Sequence, residues 1–257
     1  YIKNMQIASF ANNLNNITND NLIHNRLIFK FLPTKNIVGN EEFMKAGYEA
    51  QLRSIVMLKN KNKTLPIASK RTVYVPQRFE AASSDWFGRE IPEKWEYAFN
   101  MEMVKKYFEV VDNPEQADFA LVGIKSPDGG VGYDRKDLKE GGNGYVPINL
   151  QYNPYTATNA REVSLAGGSP LEDFTNRTYK GKTVKTRNLE DMKLVKGTKE
   201  KMGDKPVIVV VKISKPMVFS EIESSASSIL IHMGVQDQAL MDIITGKTTP
   251  SALLPFQ

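Results

Sequence analysis

Along this chain the spacing of apolar positions switches between helical and extended periods. From Glu41 to Leu58, Phe43, Ala46, Ala50, Leu52 and Ile55 recur at turn spacing, which predicts a helix. A polar turn at Asn60–Thr64 and then Leu65-Pro66 end it, and Thr72–Pro76 reads as a short strand. Trp95, Phe99, Met103 and Tyr107 stand at i, i+4 spacing, so a second helix is predicted over Glu93–Phe108. Val110-Val111 and Phe119–Ile124 predict two further strands. After them come an amphipathic helix at Asn188–Met202, a strand at Pro206–Ile213, a short helix at Met217–Ser224, a strand at Ser228–His232 and a helix at Gln236–Thr245 ending at Gly246. The β-branched run from Pro206 suits a central parallel strand buried on both faces. Strand–helix–strand–helix with crossovers of this length predicts an α/β fold, an open and mostly parallel sheet with helices on both faces.

Two stretches stand apart from that rhythm. Residues 1–40 are Asn-rich and carry one apolar stripe, Leu22, Leu27, Ile28, Phe29 and Phe31; they read as a short irregular or helical segment before an α/β domain at 41–257. Residues 126–184 include glycines 129, 130, 132, 141, 142, 144, 167 and 168 and Tyr133, Tyr145, Tyr152, Tyr155 and Tyr179, with a short helix expected at Ala157–Leu165. A connection of this length inside a domain is more often functional than filler.

Composition narrows the chemistry. With 41% hydrophobic and 25% charged residues among 257, the chain has the make-up of a globular protein. Its length buries roughly 70–75% of the unfolded surface without a disulfide or metal staple. No cysteine is present, so thiol nucleophiles, disulfides and Cys-ligated metals are excluded, and no cofactor or metal is expected. The excess of 34 basic over 29 acidic residues is mild. Lys59, Lys61, Lys63, Lys180, Lys182 and Lys185 are scattered among neutral positions, a solvated face rather than a nucleic-acid stripe. The longest apolar run is Val207–Val211, far below the ~18 residues of a membrane span. The N-terminus has no signal-peptide pattern and opens on Tyr1, from which a mature or truncated product is expected.

Two histidines leave little room for histidine chemistry. A Ser-His-Asp triad would have to use His24 or His232, and His232 reads as a satisfied strand-end residue, although ligand crevices open at such ends. No HExxH, P-loop or calcium-loop pattern occurs. Gly130–Arg135 (GVGYDR) follows a strand but puts Arg135 where a dinucleotide loop needs its third glycine, so a flexible turn is the better reading and a nucleotide-binding flavodoxin-like protein the weaker one. The Gly-rich segment also gathers Asp128, Asp134, Asp137 and Glu140 with Tyr133 and Tyr145. Glycoside hydrolysis needs a proton donor and a second carboxylate across the sugar ring, and aromatic faces pack on the ring's apolar side.

Three stretches in order resemble the C-terminal α/β domain of glycoside hydrolase family 3, the family of many β-glucosidases. SIVMLKNKNKTLPI (54–67) looks like that domain's entry helix and following turn. KPVIVVVKISKPMVF (205–219) is similar to its strand-and-turn, and SSILIHMGVQDQALMDIITGKTTPSALLPF (227–256) to its ending. RLIFKF (26–31) is similar to the segment that leaves the family's preceding domain. The set brackets about two hundred residues.

The resemblance implies a (β/α)8-type barrel of the same protein before this domain, a carbohydrate substrate between the two, and retention of configuration. It implies periplasmic or secreted location, while the scattered lysines and short apolar runs are what predict neither a nucleic-acid partner nor a membrane span. The family's nucleophilic aspartate lies in the barrel, typically as Ser-Asp-Trp; Ser84-Asp85-Trp86 matches the letters but follows the second domain's entry and is read as coincidence. One branch of the family carries its acid/base in a G-E-G-x-D-R loop. Here that loop is GVGYDR, with Val131 at the Glu position, so Asp128 and Glu140 become the acid/base candidates and Tyr133, Asp134 and Arg135 the substrate-loop residues. The expected function is a domain of a β-glucosidase-like hydrolase, inactive as an isolated chain. The alternative is a non-catalytic carbohydrate-binding or interaction module that has lost the acid/base.

Overall fold

A computed structural model of the chain describes residues 38–68, 70–84, 87, 89–162 and 178–255. The chain divides into two units, Tyr1–Ala50 and Gln51–Gln257. The described part of the first is most of helix α1 (Glu41–Ser54), which runs on into the second. Asn40 starts it by accepting the Glu42 N–H at 2.8 Å, and Glu41 and Glu42 occupy the first turn, where negative charge suits the helix dipole. Of the segment expected at 1–40, residues 1–37, with the stripe from Leu22 to Phe31 and His24, lie outside the described residues.

The second unit continues with β1 (Val56–Asn60), β2 (Thr72–Tyr74), β3 (Gln77–Glu80), β4 (Ser83–Ser84), β5 (Glu90–Ile91) and β6 (Lys94–Tyr97). Then come α2 (Met101–Lys105), β7 (Glu109–Val111), β8 (Phe119–Lys125), α3 (Arg135–Lys139), β9 (Tyr155–Thr156) and β10 (Thr183–Val184). The chain ends with α4 (Leu189–Met202), β11 (Val207–Lys212), α5 (Ser220–Glu223), β12 (Ser228–His232) and α6 (Asp237–Ile244). The main sheet has the order β1-β12-β11-β8-β2-β7, with every neighbouring pair parallel except β1 on β12. The predicted α/β class with a mostly parallel open sheet is what the chain adopts. Counted in chain order, the parallel strands run 2-1-3-4-5 across the sheet, and the order reverses between β2 and β8.

The sequence explains why both faces are covered. β8, β11 and β12 are apolar on both parities, so neither side tolerates water. Ala120, Val122 and Ile124, with Val207, Val209, Val211, Ile229 and Ile231, pack under Met192, Val195 and Met202 of α4 and Ile222 of α5. The opposite parity, Leu121, Ile208, Val210 and Leu230, is equally buried. Gly123 belongs to that second face: a Cβ there would lie 2.3 Å from Ala98 Cβ and 2.9 Å from the Phe99 ring. Glycine therefore lets the segment leading into α2 lie directly on the strand.

Three expectations need correction. The helix from Glu41 stops at Ser54 rather than Leu58, because Ile55 enters the core and Val56–Asn60 pairs with β12 as an edge strand. No helix covers Glu93–Phe108: Lys94–Tyr97 pairs antiparallel with Gln77–Glu80, and only Met101–Lys105 is helical. Cross-strand contact, with the Phe79 and Trp95 rings 5.3 Å apart, outweighs the local period there. The short helix expected at Ala157–Leu165 is absent over 157–162, where Thr156 pairs with Thr183 and a turn follows; 163–165 lie outside the described residues.

Candidate functional site

β2, β8, β11 and β12 end at Tyr74, Lys125, Lys212 and His232, the edge where open α/β sheets receive ligands. Beside the β2/β8 reversal, the Arg78 side chain turns inward and is 2% exposed, against Asp191, 0% exposed, from the first turn of α4. Arg78 Nε and Nη2 donate to Asp191 Oδ1 and Oδ2 at 3.1 and 2.9 Å, a paired charge-assisted contact. Asp191 Oδ2 also accepts the Lys125 N–H at 3.1 Å and Asn188 Nδ2 at 2.9 Å. Burial pushes the Asp191 carboxyl above its ordinary range, and these donors work in the other direction. Glu80 accepts from Arg78 Nη1 and, at 2.6 Å, from Lys125 Nζ. Burial works to raise Glu80, but Lys125 and Arg78 outweigh it and hold the carboxyl below the usual range. The knot fastens the β3–β6 hairpin, the end of β8 and the start of α4 to one another.

The Gly- and Tyr-rich segment grows from the same edge. Asn188 accepts the Asp128 N–H at 2.7 Å and donates to Ser126 O at 3.1 Å, which pins the root of the loop to α4. Gly129 bridges to Asn149, and Tyr133 to Tyr145, with those two rings edge-on at 6.3 Å. Tyr152 is fully buried in the core beneath α4 and donates its hydroxyl to Lys125 O at 2.6 Å. Residues 126–155 are thus a folded-back lobe anchored at both ends.

The residues singled out from the sequence take different places in that lobe. Asp128 lies at its root, with Arg187 Nη2 at 2.7 Å from Oδ2. Asp134 caps α3 by accepting the Lys136 N–H at 2.8 Å, Arg135 is the helix's first residue, and Glu140 is its C-terminal cap, with Lys136 Nζ at 3.8 Å. Tyr133 and Tyr145 close the neck below α3. Gly130 and Gly132, at φ +87° and +88°, make the turn that holds Val131 outward, 79% exposed. Asp85 and Trp86 lie outside the described residues.

His232 behaves as a loop clasp. Its Nδ1 accepts the Gly234 and Val235 N–H groups, both at 3.2 Å, and burial, helped by the charge of Lys212, pushes it down to about 4. A neutral ring serves this geometry, in keeping with the satisfied strand-end reading.

Sequence reasoning missed the Arg78–Asp191 knot, and it missed a cleft of about 570 Å³ beyond the ends of β8 and β11, bordered by Lys125, Lys212, Ser214, Lys215 and Met233. One signal was present: β8 and β11 each end on a lysine, Lys125 and Lys212. Among the described residues no group of three or more His, Asp or Glu is disposed to hold a metal, and no helix is long and apolar enough to cross a membrane.

No family model matches the chain. Among curated proteins, β-glucosidase C of Emericella nidulans is 24% identical over 223 residues, covering 86% of this chain and 26% of that protein. The chain resembles a family-3 β-glucosidase. It spans about a quarter of the length of the curated β-glucosidases it matches, and the likeness is to a C-terminal type of domain. Solved β-glucosidases are similar too. That of Listeria innocua with isofagomine is 16% identical with a TM-score of 0.47, over 85% of this chain and 27% of that one. β-Glucosidase 3B of Thermotoga neapolitana with α-D-glucose is 18% identical with a TM-score of 0.47, over 83% and 30%.

Proposed function

We propose that this chain is a domain of a glycoside hydrolase that acts on β-glucosides or related β-linked sugars by a retaining, two-carboxylate mechanism. The observation that carries the reading is the sequence likeness to a β-glucosidase over 86% of the chain. A barrel of the same protein supplies the nucleophilic aspartate, so the isolated chain is inactive, and the lobe at 126–155 reaches the sugar with Tyr133, Asp134 and Arg135. Asp128 and Glu140 are the acid/base candidates. A proton donor must be held in place relative to the leaving oxygen. That favours Asp128, whose backbone is fixed by Asn188 at the root of the lobe.

The test uses the full-length protein with a β-linked disaccharide and with 2,4-dinitrophenyl β-glucoside. Asp128→Asn lowers kcat/KM for the disaccharide by about 10²–10⁴-fold and affects kcat/KM for the activated substrate far less, because that leaving group needs little proton assistance in the glycosylation step. An equal loss on both substrates, or none on either, would remove Asp128 from the role. A second reading, a non-catalytic carbohydrate-binding or interaction module, draws on Val131, which stands at the tip of the loop where the resembled pattern has Glu. Glucoside binding without turnover by the full-length protein would establish that reading in place of the first.

A further inference from the structure

At the sheet's C-terminal edge two adjacent strands end on lysine, beside a neutral histidine. Lys125 and Lys212 are register partners on adjacent parallel strands, and Lys212 is in turn the partner of His232. Neighbouring strands lie about 4.8 Å apart, so two ammonium-bearing chains leave the sheet side by side. Lys125 is compensated by Glu80 at 2.6 Å. Lys215 Nζ donates to a neutral acceptor, Gly130 O, at 2.9 Å, and no carboxylate lies within ion-pair reach of Lys212 or Lys215 among the described residues. Both border the 570 Å³ cleft, whose lining holds three lysines, Ser214 and no acid. Like charges set side by side repel, and a fold that keeps them around a cavity is complementary to an anion.

We propose that this cleft binds an anionic group on a sugar, a carboxylate or a sulfate ester, with Lys212 and Lys215 as its charge partners and Ser214 as a hydrogen-bonding neighbour. The inference rests on the sugar-active reading above and adds that the recognised glycan is charged. Met233, exposed at the rim, and the Pro216 ring give the apolar surface on which a sugar ring can lie beside its acid group.

Isothermal titration of the full chain with glucose, glucuronate, glucose 6-sulfate and inorganic sulfate tests it. At low salt at least one charged sugar binds at least tenfold tighter than glucose and tighter than inorganic sulfate, up to about fivefold coming from each of Lys212 and Lys215. Whichever charged sugar wins identifies the anion as carboxylate or ester. Lys212→Met together with Lys215→Met abolishes the preference, Lys212→Arg retains it, and raising salt toward 1 M, where the screening length shrinks to about 3 Å, erases it. Equal affinity for glucose and both charged sugars would overturn the inference while leaving the sugar-active reading in place. No binding of either charged sugar, or inorganic sulfate binding as tightly, would also overturn it. The sugar-active reading falls separately, on the turnover test.

Discussion

Removing the Asp191 carboxylate strips a buried guanidinium of its two-pronged partner. In Asp191→Ala, Arg78 stays charged, since guanidinium does not deprotonate in proteins, and the Lys125 N–H and the Asn188 amide lose an acceptor. Breaking such a pair from one side costs about 3–5 kcal/mol. Glu80 still faces Arg78 Nη1, so the lower end, about 3 kcal/mol, is expected. Arg78→Met should cost less, because a stranded carboxylate can take up a proton and a stranded guanidinium cannot release one. The double variant removes both charges and leaves only the two neutral donors, a residual of about 1–3 kcal/mol. Urea unfolding followed by circular dichroism reads all four proteins, with m unchanged as the check that only stability moved. A coupling energy above about 1.5 kcal/mol is expected between positions 78 and 191. Single effects that add within about 0.5 kcal/mol, or an Asp191→Ala loss below about 1 kcal/mol, would refute it.

Other predictions follow from single contacts. Gly123→Ala places a methyl 2.3 Å from Ala98 Cβ and should cost about 1–3 kcal/mol, seen as a lower thermal midpoint; no change would show that this face is loosely packed. His232 protonates near 4 folded and near 6.5 unfolded, so the stability it contributes is present above pH 6.5 and is lost as the pH falls through 4. The full loss is about 3 kcal/mol, and Asn, which keeps an acceptor for the Gly234 and Val235 N–H groups, should flatten that slope in pH-dependent denaturation. Tyr152→Phe leaves Lys125 O without its hydroxyl donor and should cost about 1–2 kcal/mol by urea unfolding, with the sheet retained.

The parts of the fold that a single chain segment determines were legible. β8, β11 and β12 are short runs apolar on both parities, and that pattern has one stable solution, a central strand covered on both sides. The hairpin was not. Trp95 and Tyr97 alternate as a strand, but Phe99 and Met103 extend the same residues into a helical period, and the partner that decides between them, Gln77–Glu80, lies elsewhere in the chain. The site shows the same division. Gly130 and Gly132 announced a turn, and they make one. Arg78 and Asp191 are separated by 113 residues, and nothing near either marks it as buried. The lysines ending β8 and β11 were visible as letters, but only the register makes them neighbours.

The central claim is a retaining glycoside hydrolase, and the anomer released first by the full-length protein tests it most directly. Proton NMR during hydrolysis of an aryl β-glucoside should show the β-hemiacetal appearing before mutarotation produces the α form. The α form appearing first, or no hydrolysis of any β-linked sugar, would contradict it.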